Sequence, residues 1–441
     1  PRIDGARMAG DEVWWGESVP VEAGRVAVRR RRADGSVETV LPAPANARSA
    51  VHEYGGGAWT ASDEGELYYV EKTDQRVYAL RPGGQARALT PSDDAARHGG
   101  LRFEHGTLLA VRETHGAERV PARAIVRIAT DESGAVDVLA DGSDFLAQPA
   151  LSPDGTRLAW IAWNHPDMPW DATILRVADL SSGEVHDLAH GANRAPLQPV
   201  WLADDELLYA DDPGGRWNLF RRPLDGDAQP VAPADADTGG GLWVLGTRWF
   251  GAAGDGRIVA VRTDGADEIV EIAPSGMRPL DVPVVAGAAV DDARGSRVLI
   301  SGADAAGRSG LWLVDLDTGV VDFVTGGSGS WGDEWMPSAH ALETEGPHGP
   351  VHAFAYAPTH PDITAPADER PPYVVLVHGG PTSHVGPAPS AKTAFFTSRG
   401  IGVLDVNYGG STGYGRAYRD RLKGQWGVVD VDDVAAAASA L

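Results

Sequence analysis

A chain of 441 residues exceeds the roughly 250 to 300 at which single cores stop growing, so several domains or one large repeat architecture are expected. With 38 Lys and Arg against 62 Asp and Glu, the formal net charge of -24 disfavours nucleic acid and anionic membrane partners. The absence of cysteine excludes thiolate catalysis, disulfides and Cys-ligated zinc.

The N-terminus, PRIDGARMAG, lacks an apolar leader core, and nowhere is there an apolar run of the ~18 residues a membrane span needs. A soluble protein in the cytoplasm is the expectation. From about residue 11 to about 326, short runs rich in Val, Ile, Leu, Trp and Tyr alternate with turns such as Asp34-Gly35, Asp141-Gly142, Asp154-Gly155 and Asp264-Gly265. An Asp-Gly pair between alternating apolar runs is a strong hairpin signal. Seven units start near Asp11, Gly57, Gly99, Phe145, Leu197, Leu242 and Val285, a spacing that suits four-stranded propeller blades. The rival, a pair of β-sandwiches, would not require so even a repeat.

After Gly326 the character changes. A Gly/Ser-rich link, GGSGSWGDEW, leads through a Pro-rich stretch to PPYVVLVHGGP, a predicted helix, IGVLDVNYGG and further predicted helix. The apolar runs Tyr373 to Val377 and Ile401 to Val406 read as strands buried on both faces of a parallel sheet. In VVDVDDVAAAASAL the acids come first and the alanines last, as the helix dipole favours. The predicted architecture is therefore an all-β seven-bladed propeller over residues 1–335, followed by the N-terminal part of an α/β-hydrolase domain over 336–441. Two or three strands ending on a helix cannot bury both faces of such a sheet, so the second unit reads as the start of a domain.

The tetrapeptide His378-Gly379-Gly380-Pro381 follows a predicted strand. In α/β hydrolases the loop at this place supplies backbone N–H groups to an oxyanion hole, which makes Gly379 and Gly380 the candidates; read alone, the tetrapeptide is equally a tight turn. HGGP, then VNYGGSTGYGRAYRD, then WGVVDVDD, in this order and spacing, resembles the hydrolase domain of prolyl oligopeptidase family serine peptidases, in the branch of acylaminoacyl peptidases, dipeptidyl peptidases and related aminopeptidases. NARSAVHEYGGGAW, WNHPDMPWDATIL and GGRWNLFR resemble propeller segments of the same branch, and Gly409 stands where the family usually shows Arg.

Gly409-Gly410-Ser411-Thr412-Gly413 satisfies G-x-S-x-G, the pattern of a nucleophile elbow. By the resemblance, however, the elbow comes later, so Ser411 is read as a loop residue and the Ser, Asp and His of the triad are expected after Leu441. No catalytic residue is assigned within the chain, which by itself is expected to be inactive. The resemblance further implies acyl-enzyme hydrolysis of short peptides or aminoacyl amides, with the remaining part of the hydrolase domain as a partner. It also implies acidic side chains that take up a substrate ammonium, for which Glu53 and Glu113 are the candidates. Trp163, His165 and Trp170 are read as packing between blades more than as pocket walls. His348 and His352 are four apart but lie among Gly and Pro, so no metal site or cofactor is expected. Two other functions are open to the residues alone: a propeller acting as a binding module, and a small esterase using Ser411.

Overall fold

The computed structural model describes residues 2–327, 332–366 and 368–441. Seven four-stranded antiparallel sheets follow one another along the chain, each in strand order 1-2-3-4, at residues 2–39, 59–88, 96–140, 145–189, 197–231, 250–279 and 286–327. The first strand of each sheet packs against the first strand of the next, and that of the seventh against that of the first, which makes a closed β-propeller around a central tunnel.

The fourth sheet shows why the sequence folds this way. Asp154 Oδ1 accepts from Ser152 Oγ at 2.6 Å and from Thr156 N–H at 2.9 Å, while Gly155 takes φ +73°, so side chain and glycine together make the turn. The strand it launches, Arg157–Trp163, is buried after its first residue, whereas the outermost strand, Val185–Ala189, is largely exposed. Apolar side chains meet between neighbouring sheets: Trp14, Val28 and Leu67 between the first and second, and Met8, Trp15, Leu299 and Leu311 between the seventh and first. Each large side chain removed from water there contributes roughly 1.5 to 3 kcal/mol.

Two glutamines stitch the inner strands. Gln148 and Gln198 both have φ +52°, and Gln198 N–H donates to Gln148 Oε1 at 2.7 Å, while Gln198 Nε2 donates to Phe250 O at 2.6 Å. The ring closes without a shared sheet: Ala6 N–H donates to Asp291 at 3.1 Å and Met8 N–H to Asp292 at 2.9 Å.

The observed sheets depart from the predicted units at two places. The first starts at Arg2 instead of near Asp11, because RIDGARMA, which lacks strong alternation, is held in register by the strand Glu12–Val19. The sixth starts at Phe250 instead of Leu242, because the chain from Leu242 to Trp249 runs irregularly, with Leu245 bridging Gly56.

The eighth sheet is mixed, in the order 339–346, 349–356, 402–407, 373–377. Strand Gly402–Asn407 pairs antiparallel with Gly349–Tyr356 and parallel with Tyr373–Val377. Tyr373–Val377 is not buried on both faces as the apolar run predicts. It is the edge strand, half-buried, and Val377 is 55% exposed. Helices follow at Ala391–Thr397, Gly415–Asp420 and Val429–Ser439, the last with Asp430 and Asp432 in its first turn. Among the described residues no helix is long and apolar enough to cross a membrane.

Candidate active site

The loop after the edge strand carries Gly379 and Gly380, both exposed. Gly380 has φ +136°, and a Cβ there would lie 2.9 Å from Thr382 N, so the position demands glycine. At Gly379 a Cβ would meet nothing within 4 Å, which leaves room for an approaching carbonyl. Among the described residues neither N–H donates to another backbone group.

This loop is clamped from the segment that follows strand Gly402–Asn407. Asn407 Oδ1 accepts Val385 N–H at 2.9 Å and its Nδ2 donates to Val385 O at 2.9 Å. Tyr408 stacks on His378 at 4.7 Å and its hydroxyl donates to His378 O at 2.8 Å. Thr412 N–H donates to Ser383 O at 2.9 Å, and His384 Nδ1 lies 3.0 Å from Thr412 Oγ1.

Ser411 belongs to the clamp. His378 Nε2 is 2.7 Å from Ser411 Oγ, the separation of a Ser–His pair. Yet Ser411 is fully buried, and its hydroxyl donates to Tyr408 O at 2.7 Å, an oxygen that can only accept. A neutral imidazole carries one N–H, and His378 Nδ1 lies 3.0 Å from Gly379 O, which can only accept. Burial lowers the pKa of His378 and favours the neutral ring, so with Nδ1–H on Gly379 O its Nε2 is a second acceptor for the Ser411 hydroxyl beside Tyr408 O.

On the propeller side, Trp243 Nε1 donates to Thr382 O at 2.7 Å. Tyr54 meets Trp243 edge-on at 5.5 Å and Trp170 lies 4.6 Å behind it, so an aromatic wall runs up to the glycine loop. Glu53, next to Tyr54, has φ +66° and a side chain 80% exposed. Glu113 is different: it is buried, accepts from Arg123 Nε at 2.8 Å and from His52 N–H at 3.2 Å, and lies 2.7 Å from His115 Nε2. Of the two acidic candidates, Glu53 faces solvent and Glu113 holds the turn that presents it. Trp163 is in the core, stacked on Phe145 at 5.0 Å, and His165 pairs with Asp144 at 3.0 Å.

The segment Gly409–Asp420 also docks the eighth sheet to the propeller. Asp212, fully buried, is 2.6 Å from Arg416 and 2.8 Å from Arg419, and Arg419 lies over the Trp217 ring at 4.0 Å. Gly415 N–H donates to Asp237 at 3.0 Å, and Gly413 O accepts from Arg216 at 3.2 Å. Gly409 has no room for a side chain here, since a Cβ would lie 2.8 Å from Val429 Cγ1 and 2.9 Å from Asp433 Oδ2. Its N–H instead donates to Asp433 at 2.8 Å.

The family profile described as prolyl oligopeptidase family matches residues 387–441. A puromycin-hydrolysing peptidase from Mycobacterium tuberculosis is 38% identical over the whole of this chain and 71% of its own, with a TM-score of 0.94. The chain belongs to the prolyl oligopeptidase family. A puromycin hydrolase of known structure is 37% identical over the same shares, with a TM-score of 0.93. Among curated proteins, a probable dipeptidyl-peptidase 5 from Emericella nidulans is 22% identical over 65% of this chain and 34% of its own length. The present chain thus spans about a third of that curated relative.

The clamp adjoins the loop of Gly379 and Gly380, the residues expected from sequence to form an oxyanion hole. His378, Asn407, Tyr408 and Trp243 were not singled out by sequence. The signal for the first three was the close succession of HGGP and NYGGST, two loops at the ends of adjacent parallel strands. Arg416 and Arg419 share a helix face at i, i+3, but their acidic partner lies some two hundred residues away. His348 and His352 lie on and beside strand Gly349–Tyr356, next to Asp432 at 2.9 Å and Glu343 at 3.6 Å, and the described residues hold no cluster of metal-ligating type.

Proposed function

We propose that this chain comprises a seven-bladed propeller, residues 1–335, and the first part of a hydrolase domain, 336–441, of a serine peptidase acting on short peptides or aminoacyl amides. The observation that supports this reading is that, among the described residues, neither Gly379 nor Gly380 N–H donates to another backbone group, with open space at Gly379, in a loop that Trp243, edge-on to Tyr54, holds through Thr382 O. Those N–H groups stabilise the oxyanion that forms when a serine oxygen adds to the substrate carbonyl. Collapse of that adduct breaks the C–N bond, the amine leaves with a proton from the catalytic imidazole, and water then hydrolyses the acyl-enzyme.

The nucleophile, acid and imidazole belong to polypeptide that follows residue 441 in the family order. The exposed apolar side chains of Val377 (55%), Trp426 (64%) and Val431 (59%) support a docking place for that part of the hydrolase domain. Glu53 takes the free ammonium of the substrate, with Glu113 behind it as support, which favours exopeptidase action on unblocked substrates. The hydrolysis of puromycin named for two solved relatives suits an aminoacyl-amide substrate.

The test is a fluorophosphonate that labels activated serines, with peptide mapping of the adduct. A labelled serine outside residues 1–441 supports the reading, a label on Ser411 overturns it in favour of an esterase, and no label leaves a propeller binding module. In the active protein, Glu53→Gln raises KM about tenfold for an aminoacyl amide with a free amino group and leaves its N-acetyl analogue unchanged. Equal effects on both would exclude the ammonium role.

A further inference from the structure

The propeller tunnel, about 870 Å³ in volume, carries charges that peptide hydrolysis does not use. Arg7, Arg102 and Arg248 line it. Arg102 is paired with Glu104, whose other oxygen accepts Leu151 N–H at 3.0 Å. Arg7 and Arg248 are in another situation. Arg7 donates to Phe103 O at 2.8 Å, and the Nε of each is buried with no hydrogen-bond partner among the described residues. Burial, and then the nearby Arg102, push the Arg248 guanidinium down to about 10.

Of the acids close by, Asp292 is engaged on both oxygens and Asp291 on one. Asp292 accepts Met8 N–H at 2.9 Å and Ala293 N–H at 3.0 Å, and lies 3.3 Å from Arg294. Asp291 accepts Ala6 N–H on one oxygen while the other is buried without a partner, and burial lifts its carboxyl to about 6. Asp292 and Glu104 attract both guanidiniums, but neither Arg7 nor Arg248 forms an ion pair among the described residues, and buried cations held only at longer range, in a wall with room beside it, are costly unless an anion joins them. Each presents a planar fork of donors suited to an oxyanion.

We infer that the tunnel binds a small oxyanion between Arg7 and Arg248, supplied by a carboxylate- or phosphate-bearing small molecule. The site is deep in the ring. Gly386 of the hydrolase part packs on Ala286 at one mouth, and Asp291 lies five residues further along the same strand, roughly 16 Å at ~3.3 Å per residue. It is independent of the peptidase reading, and its test does not use peptidase activity.

Thermal melts of the whole chain are recorded at constant ionic strength in chloride, in inorganic phosphate, and with a tripeptide as free acid or C-terminal amide. Phosphate, the free acid, or both raise Tm in proportion to the logarithm of concentration, and the amide does not. A response to phosphate alone assigns the phosphate class, and one to the free acid the carboxylate class. Arg248→Gln raises Tm in chloride, because a buried uncompensated charge is gone, and weakens the anion response at least tenfold in concentration. Arg7→Gln weakens it likewise and carries the test if the first variant does not fold. Arg297→Gln, at the surface, leaves it intact. No Tm response of the unaltered chain to either anion overturns the proposal, as does an undiminished response in both tunnel variants.

Discussion

The seven antiparallel sheets and the eighth, mixed one meet the same demand differently. In the propeller every pair of neighbouring sheets encloses its own apolar layer, so burial is complete within each repeat and its neighbour. In the eighth sheet, strand Tyr373–Val377 stays half-buried at an edge, and Trp426 and Val431 project from the helical side. The lesson is that the propeller satisfies itself locally, while the hydrolase strands depend on polar joints: one to the propeller through Asp212 and one between two loops through Asn407, Tyr408 and Ser411.

The most damaging way to break this arrangement is Asp212→Ala. It strands two buried guanidiniums, Arg416 and Arg419, and costs about 3 to 5 kcal/mol. Denaturant titration followed by hydrogen exchange should show residues 339–441 losing protection before the propeller; a single unchanged transition would mean that the joint carries no stability.

Next in size is a propeller effect. His52 is packed against Phe145 and Trp163 at 5.2 and 5.8 Å, and burial, then Arg123, lower its pKa to about 4. A depressed folded-state pKa means that the unfolded chain binds the extra proton between pH ~6.5 and ~4, so stability is present above that window and lost as pH falls through it. His52→Phe should remove an acid-side loss on the order of 3 kcal/mol from the stability profile. An identical profile in the variant would refute the buried, neutral imidazole.

Ser411→Ala leaves His378 Nε2 without its partner, at about 1 to 2 kcal/mol, and tests the clamp itself. Amide exchange across 378–385 should quicken about tenfold while the propeller is unaffected. Unchanged exchange would separate Ser411 from the glycine loop. Smallest is Asp322→Asn at the ring seam, where Arg31 is paired at 2.5 Å near the surface. It should cost less than about 1 kcal/mol, and a larger loss by denaturant titration would make the seam a weak point.

The propeller was legible because its information is local. Asp154-Gly155 specifies a turn and RLAWIAW a buried strand within a dozen residues. Two unit starts were displaced where local pattern is poor: RIDGARMA is defined by its partner strand, and Leu242 to Trp249 is apolar without being a strand. The glycine loop was legible from HGGP, but not what secures it, because His378–Ser411 and Asp212–Arg419 join residues far apart in sequence. Tyr373–Val377 reads as a buried strand but is half-buried at the edge of the described sheet, where the proposed remainder of the hydrolase domain docks.

The segment Gly409–Gly415 has two sets of neighbours. Through Ser411 and Thr412 it grips the glycine loop, and through Gly413 and Gly415 it rests on the propeller at Arg216 and Asp237. It is mechanically a wedge seated on both bodies at once. Any displacement of the propeller would withdraw its seat and loosen the glycine loop in the same movement.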